Sequence, residues 1–355
     1  MIVPPGSTIG IIGGGQLGRM LACAAAQLGY RTHVYAPEAT GPASEVAAEW
    51  TQGAYGDTPA LRRFAERCDV VTYEFENLPV DILASIEGVR PFHPPVEALR
   101  IAQDRAVEKE FATRHGLVTA PWAAVSSLAE LEQAIIRIGT PAILKTRRFG
   151  YDGKGQARLR GPDDAKTAWV AIGAQPAVLE GFVRFDVEFS VLLCRGGDGG
   201  SVAWDAVTNR HQDGILARSS VPPKGLVAAQ AAAAIRYTRT LADALGHVGV
   251  LAVEFFAGAD GPIFNEMAPR VHNSGHWTIE GAIASQFENH IRAICGLPLG
   301  STALTGISVE MENLIGEEAD RWPTILTESD AHLHLYGKGM RPGRKMGHVT
   351  RVRRN

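Results

Sequence analysis

The runs V-L-A-V-E-F-F-A (Val250–Ala257) and P-I-F-N-E-M (Pro262–Met267) decide how this chain is read. Both are short, apolar and rich in β-formers. The link between them, Gly258-Ala259-Asp260-Gly261, is a turn signal, so together they predict a β-hairpin. A hairpin symmetric about Asp260 sets residue 254 opposite residue 266, with both carboxylates on one face. Directly opposed side chains sit roughly 5 Å apart at Cβ, and like charges there repel. Two such carboxylates on apolar strands require a compensating cation or a shared proton. Oxygen ligands in this pattern suit Mg²⁺, which is commonly held by one or two carboxylates plus substrate phosphates. Mn²⁺ is the alternative ion. A hairpin shifted by one residue, with one glutamate exposed, is the other outcome.

Upstream lies K-T-R-R-F-G-Y-D-G-K-G, Lys145 to Gly155, after the apolar strand end Ala142-Ile143-Leu144. Gly150, Gly153 and Gly155 give a turn whose backbone N–H groups can approach phosphate oxygens, and Lys145, Arg147, Arg148 and Lys154 surround it. The spacing is not that of a Walker A loop. Alone this is also the pattern of a solvated basic turn. With the acidic hairpin it forms half of a nucleotide clamp: glycines and lysine on the phosphates, a glutamate pair on the ion that bridges them.

The chain has 355 residues, 45% apolar and 21% charged, which predicts two or three globular domains with ample core. A net charge of −3 gives no general footprint for nucleic acid or a lipid surface. Four scattered cysteines without a C-x-x-C argue against zinc and a disulfide framework. No leader pattern or membrane-length apolar run is present, so the expectation is a cytoplasmic protein.

The first ~100 residues alternate strand and helix signals. Strands are expected over Thr8–Ile12, Arg31–Tyr35 and Asp69–Tyr73, and helices over Arg19–Leu28 and Pro59–Arg67. That rhythm implies a parallel sheet wrapped by helices. Pro91–Pro95 marks a domain edge. One helix is expected over Val96–His115, then mixed α and β to about residue 300, then short strands. Within the first unit Gly13-x-Gly15-x-x-Gly18 follows a strand and opens a helix, with Glu38 further on. This is the dinucleotide fingerprint in its usual context, so an NAD(P)-dependent oxidoreductase is the rival from another class. The same turn serves any small phosphate at a helix N-terminus.

Several blocks together carry a resemblance: G-G-G-Q-L-G-R-M at Gly13–Met20, E-F-E-N at Glu74–Asn77, A-P-W at Ala120–Trp122, G-Y-D-G-K-G-Q at Gly150–Gln156, H-Q-D-G-I-L at His211–Leu216, N-E-M-A-P-R-V-H-N-S-G-H at Asn265–His276 and R-P-G-R-K-M-G-H at Arg341–His348. They resemble the 5-(carboxyamino)imidazole ribonucleotide synthases, the ATP-grasp carboxylases of purine biosynthesis, from residue 9 to about 348. The Asn265–His276 block is the most specific. The resemblance implies an α/β and α+β, three-domain ATP-grasp fold. A Rossmann-like unit would span 1–100, the ATP-grasp unit 101–300 with a lid at roughly 118–183, and a β-rich portion 301–355. It implies ATP, bicarbonate and 5-aminoimidazole ribonucleotide as substrates, a homodimer, and a product that passes to a separate mutase. Another ATP-grasp ligase with a different acceptor is the nearer alternative.

The resemblance also implies roles residue by residue. Arg105 and Lys145 would contact ATP phosphates, under a lid loop of Gly150, Tyr151, Asp152, Gly153, Lys154, Gly155 and Gln156. The backbone of Glu180, Gly181, Phe182 and Val183 would read the adenine, and Glu188 the ribose. His211 would touch nucleotide or substrate. Glu254 and Glu266 would hold the metal, with Asn265 beside them where the wider superfamily has an Asn two residues after the Glu. Arg270, His272 and Asn273, with Tyr151 and Asp152 from the lid, would serve the carboxyphosphate; capping or core hydrogen bonds are the plainer role for the histidines. Gly15, Gln16, Leu17, Glu74 and Glu76 would face the aminoimidazole. Lys338, Arg344 and Lys345, from the seven cations of the last 18 residues, would hold its phosphate. Arg351, Arg353 and Arg354 would be a solvated tail. The pair His332 and His334 reads as structural.

Overall fold

The fold was obtained as a computed structural model that describes residues 2–150 and 155–354. The first unit is a four-stranded parallel sheet in the order Glu49–Gln52, Arg31–Ala36, Thr8–Ile12, Val70–Tyr73. Its helices Gln16–Gln27 and Thr58–Glu66 follow the sequence signals to within a few residues, and Asp57 caps the second by accepting from the Ala60 N–H. The edge strand Glu49–Gln52 was not expected, because E-W-T-Q carries no apolar alternation.

The helix expected over Val96–His115 is two helices, Val96–Ala102 and Arg105–Arg114. Asp104 breaks it. Its backbone is extended and its carboxylate accepts from the Ala106 and Val107 N–H groups. Arg147 grips the same carboxylate through three contacts of 2.6–3.1 Å, so a long-range ion pair holds the cap in place.

A second four-stranded sheet, antiparallel, runs in the order Trp122–Val125, Ala177–Gly181, Ala142–Thr146, Gln156–Leu159. Helices Leu128–Ile138 and Ala165–Ala171 cover one face with a separate core that includes Leu131, Leu144, Trp169 and Leu179.

The third sheet has nine antiparallel strands. Its order is Gly261–Ala268, Gly249–Gly258, Val187–Arg195, Val207–Gln212, Ile215–Val221, Ser308–Ile315, Lys345–Arg353, Ala331–Leu335, with Ser201–Ala203 also paired to Val187–Arg195. The last strands of the chain therefore continue the hairpin's own sheet. Val187–Arg195 shows why its apolar run is almost continuous. Phe189, Val191 and Leu193 pack with the long helix Gly225–Ala244, while Leu192 and Cys194 face a core shared with Ile9, Leu21 and Phe287. Ser190, Glu188 and Glu254 lie on that second face, which looks toward the N-terminal unit. No helix among the described residues is long and apolar enough to cross a membrane.

Candidate active site

Glu254 and Glu266 stand opposite each other across the hairpin, and a β-bulge puts them there. The turn closes Gly258 against Gly261, and that register runs to Phe255 against Phe264. Continued by one step it would set Glu254 against Asn265 and send Glu266 to the other face. Asn265 is instead the extra residue of the bulge. Three contacts from elsewhere hold it. The Phe264 N–H donates to the Val118 carbonyl at 2.7 Å, Lys109 Nζ donates to the Asn265 carbonyl at 3.4 Å, and the Met267 N–H donates to Glu108 at 2.6 Å.

The two carboxylates are held in different states. Burial acts against the charge of Glu266, but Arg105 at 2.8 Å and then Lys145 keep its pKa low. Burial and the neighbouring Glu266 push Glu254 up, and His272 Nε2 lies 3.5 Å from it. Two opposed carboxylates favour a cation that serves both, and Arg105 reaches only Glu266. Asn265 Oδ1 is buried beside them without a hydrogen-bond partner. These three oxygens fit a hard divalent cation, and no cluster of three His, Cys, Asp or Glu placed to hold a metal occurs among the described residues. An ion here would therefore draw the rest of its shell from phosphates and water.

Beside the hairpin a buried carboxylate takes two lysines. Glu180 lies 3.0 Å from Lys145 Nζ and 3.2 Å from Lys109 Nζ. Burial opposes its ionisation and the lysines restore it, so its pKa falls below the usual range. Lys109 was missed in the sequence, as was Glu108. Arg105, Glu108 and Lys109 follow i, i+3, i+4 on helix Arg105–Arg114, so they share one face, and that spacing was the available signal. Glu180 is thus a counter-ion as well as a strand residue. The Gly181 and Phe182 N–H groups already donate to the Pro121 and Pro141 carbonyls, at 2.8 and 3.1 Å. Val183 lies just beyond the strand Ala177–Gly181. Gly150 accepts from Arg105 at 3.4 Å, Gly155 accepts from the Thr146 N–H at 2.8 Å, and Gln156 pairs in register with Lys145. Tyr151, Asp152, Gly153 and Lys154 lie outside the described residues. On the neighbouring strands Glu188 forms a close pair with His211; burial lowers the His211 pKa, but Glu188 raises it further.

The glycine turn holds an anion of its own. Glu74 accepts from the Gly15 N–H at 2.5 Å and the Gly18 N–H at 2.8 Å, where a dinucleotide would place its pyrophosphate. A Cβ on Gly13 would stand 2.4 Å from Glu74 Cγ, so the cradle is packed around this side chain. The oxidoreductase reading fails on that geometry. Gln16 begins the helix, and the Leu17 side chain is buried in the core. Glu76 takes Arg270 at 2.5 Å, and Tyr73 Oη donates to the Pro269 carbonyl at 3.0 Å, so this edge of the N-terminal sheet is bound to the end of the hairpin.

His272 Nδ1 accepts from the Ser274 N–H at 3.3 Å, a capping bond. The Asn273 amide exchanges hydrogen bonds of 2.8 and 3.0 Å with Asn313 and meets His276 at 3.0 Å, so its polar atoms face the supporting sheet. His334 pairs with Glu280 at 2.6 Å and stacks on His348. Among the C-terminal cations, Lys338 Nζ donates to the Lys345 carbonyl at 3.3 Å and lies 5.4 Å over the Tyr336 ring. Burial and the nearby Arg344 bring its pKa down to about 8, and Glu74 acts the other way. Arg344 is more exposed and donates to the Gly339 carbonyl at 3.0 Å. The charge of Lys345 acts on Glu254 and His272. Arg351 is not a solvated tail. It pairs with Glu328 at 2.5 and 3.0 Å and with Glu312 at 3.1 Å, inside the strand Lys345–Arg353.

Comparison with known proteins gives this geometry a family. Residues 6–103 match the ribonucleotide synthetase preATP-grasp domain, 110–287 the ATP-grasp domain, and 310–355 the phosphoribosylaminoimidazole carboxylase C-terminal domain. The chain is 50% identical to the N5-carboxyaminoimidazole ribonucleotide synthase of Brucella melitensis, over 98% of this chain and 97% of that one. It superposes on the crystal structure of N5-carboxyaminoimidazole ribonucleotide synthetase from Thermus thermophilus with a TM-score of 0.92, at 48% identity, covering 98% and 94% of the two chains. The Aspergillus clavatus enzyme in complex with ADP and 5-aminoimidazole ribonucleotide gives a TM-score of 0.91 at 30% identity, over 98% and 94%. With three domains matched in order and identity this high along almost its whole length, the chain belongs to the N5-carboxyaminoimidazole ribonucleotide synthase family of ATP-grasp enzymes.

Proposed function

We propose that the chain carboxylates 5-aminoimidazole ribonucleotide with bicarbonate at the expense of ATP, giving the N5-carboxylated ribonucleotide, ADP and phosphate. The observation that carries this is the opposed pair Glu254 and Glu266, with Arg105 on one carboxylate and the Lys109–Glu180–Lys145 cluster alongside. Such a site neutralises and aligns a polyphosphate, which is most of what phosphoryl transfer needs. Bicarbonate is a poor electrophile until one oxygen becomes a leaving group. Transfer of the γ-phosphoryl group to it gives carboxyphosphate and ADP. The exocyclic amine of the ribonucleotide then attacks the carboxyl carbon, the C–O bond to phosphate breaks, and phosphate leaves. The intermediate hydrolyses readily, so the site must exclude water.

Lys145 and Arg105 bind the phosphates, Glu188 the ribose, and the backbone carbonyls around Glu180–Val183 with the Val183 amide read the adenine. Glu254 and Glu266, with Asn265 Oδ1 beside them, would hold Mg²⁺, which would supply neutralisation of the phosphate charge. Arg270 and His272 offer donors to the carboxyphosphate. Glu74, Glu76 and the turn at Gly15 face the aminoimidazole, and Lys338, Arg344 and Lys345 take its phosphate. The test is ADP formation with each substrate omitted in turn. Release that depends on both bicarbonate and aminoimidazole ribonucleotide supports the assignment; release without either acceptor, or with a different amine, refutes it.

A further inference from the structure

Behind His272 runs a line of four buried polar side chains. Ser219 Oγ donates to Asn209 Oδ1 at 2.8 Å, Asn209 Nδ2 donates to Ser190 Oγ at 2.9 Å, and Ser190 Oγ donates to Ser274 Oγ at 2.7 Å. Ser274 Oγ lies 2.9 Å from His272 Nδ1. The three serines are wholly buried and Asn209 is almost so. They come from three neighbouring strands of the large sheet and the short turn Asn273–Gly275. Burying polar groups is costly unless each is hydrogen-bonded, and a connected line of them specifies one arrangement.

A hydroxyl has one proton, so this line has a direction. Ser190 accepts from Asn209 and gives its proton to Ser274. Ser274 has accepted one proton, so its own goes to His272 Nδ1. The backbone N–H of Ser274, which can only donate, points at the same Nδ1 at 3.3 Å. Nδ1 is an acceptor on both counts. The proton of the neutral imidazole therefore sits on Nε2, the nitrogen that faces Glu254 at 3.5 Å.

We propose that Ser274, Ser190, Asn209 and Ser219 are positioning residues that hold His272 in its Nε2–H tautomer and aim that donor at an oxygen of the carboxyl group being transferred. The identity of that oxygen rests on the carboxylation reading; the tautomer does not. Ser190 pairs in register with Glu254, but its side chain is wholly buried and hydrogen-bonds Asn209 and Ser274 rather than His272, so its effect on the imidazole travels through Ser274.

The tautomer is read by nitrogen NMR of the histidine side chains in the full-length wild-type protein, with His272 assigned by its loss in His272→Gln. The expected result is a protonated Nε2 and a bare Nδ1; a proton on Nδ1 overturns the proposal without any variant. In kinetics, Ser190→Ala lowers kcat about 10-fold, as loss of an orienting partner typically does. The KM for ATP stays within about two-fold, and both tautomers of His272 are populated. Ser219→Ala, at the far end, has the smaller effect. An unchanged tautomer with kcat within two-fold in Ser190→Ala overturns the assignment, as do equal losses in both variants that merely follow their melting temperatures. If the wild-type tautomer is as stated but the wild-type enzyme forms no ADP with bicarbonate and the ribonucleotide, the carboxylation reading falls and the positioning role stands.

Discussion

Gly15→Ala tests the glycine turn directly. Gly15 has φ −81° and ψ −164°, which alanine adopts without strain, so backbone conformation drops out of the comparison. What remains is the contact. The new Cβ would lie 2.6 Å from Glu74 Oε1, closer than real Cβ atoms come, and 3.2 Å from its Cδ. Glu74 is 7% exposed, so it cannot swing into solvent. Moving it stretches its bonds to the Gly15 and Gly18 N–H groups. Overpacking costs about 1–3 kcal/mol and a hydrogen bond to a charged group contributes about 1.5–3 kcal/mol, so a loss of about 2.5–6 kcal/mol follows. At roughly 2–4 °C per kcal/mol, the melting transition falls by roughly 5–24 °C. The nucleotide cluster of Lys109, Lys145 and Glu180 lies on other elements. In steady-state kinetics the KM for aminoimidazole ribonucleotide therefore rises about 10-fold or more, while that for ATP stays within a few-fold. A melting temperature within a degree of wild type would mean that Glu74 does not pack against the turn as described. Equal rises in both KM values would remove the turn from the ribonucleotide site, and tight NADH binding by the wild type would restore the dinucleotide reading.

Three further outcomes are expected. Glu266→Gln and Glu254→Gln each keep shape but remove a charge, and each lowers turnover by more than ~100-fold, because charge neutralisation at the phosphates contributes several kcal/mol; near-normal rates in both at saturating Mg²⁺ would exclude the clamp. Arg344→Ala raises the KM for the ribonucleotide and spares that for ATP, whereas Arg351→Ala, which breaks pairs with Glu312 and Glu328, lowers the melting temperature and leaves the ratio of the two KM values alone. The Lys338 pKa is depressed to about 8, so the free enzyme carries this cation below pH 8 and loses it above. The KM for the ribonucleotide should climb between about pH 7 and 9 and stay flatter in Lys338→Arg, measured against a constant KM for ATP. Stability runs the opposite way: between pH 8 and 10.5 the unfolded chain binds more protons at this group, so its contribution to stability increases with pH.

Local signals carried the hairpin and, apart from the edge strand Glu49–Gln52, the strands and helices of the first 73 residues, because periodicity, turn chemistry and capping act over a few residues. The nucleotide clamp came from the pattern of Glu254, Glu266 and Lys145, and the ligase chemistry from the family resemblance carried by the motif blocks. Contacts between distant segments decided the rest. Symmetry about Asp260 predicted the right carboxylate pair, yet the turn itself closes at Gly258 and Gly261 and would have paired Glu254 with Asn265. Only the bulge corrects the register, and it is held by Val118, Lys109 and Glu108, more than a hundred residues upstream. Arg147 likewise breaks the helix at Asp104, and Glu180 recruits Lys109 from a helix that no local signal sets beside the strand Ala177–Gly181. Glu74 fills a turn that reads as an empty phosphate cradle. In each case a buried charge must find a partner once water is removed, and the chain supplies it from wherever the fold brings one within hydrogen-bond reach.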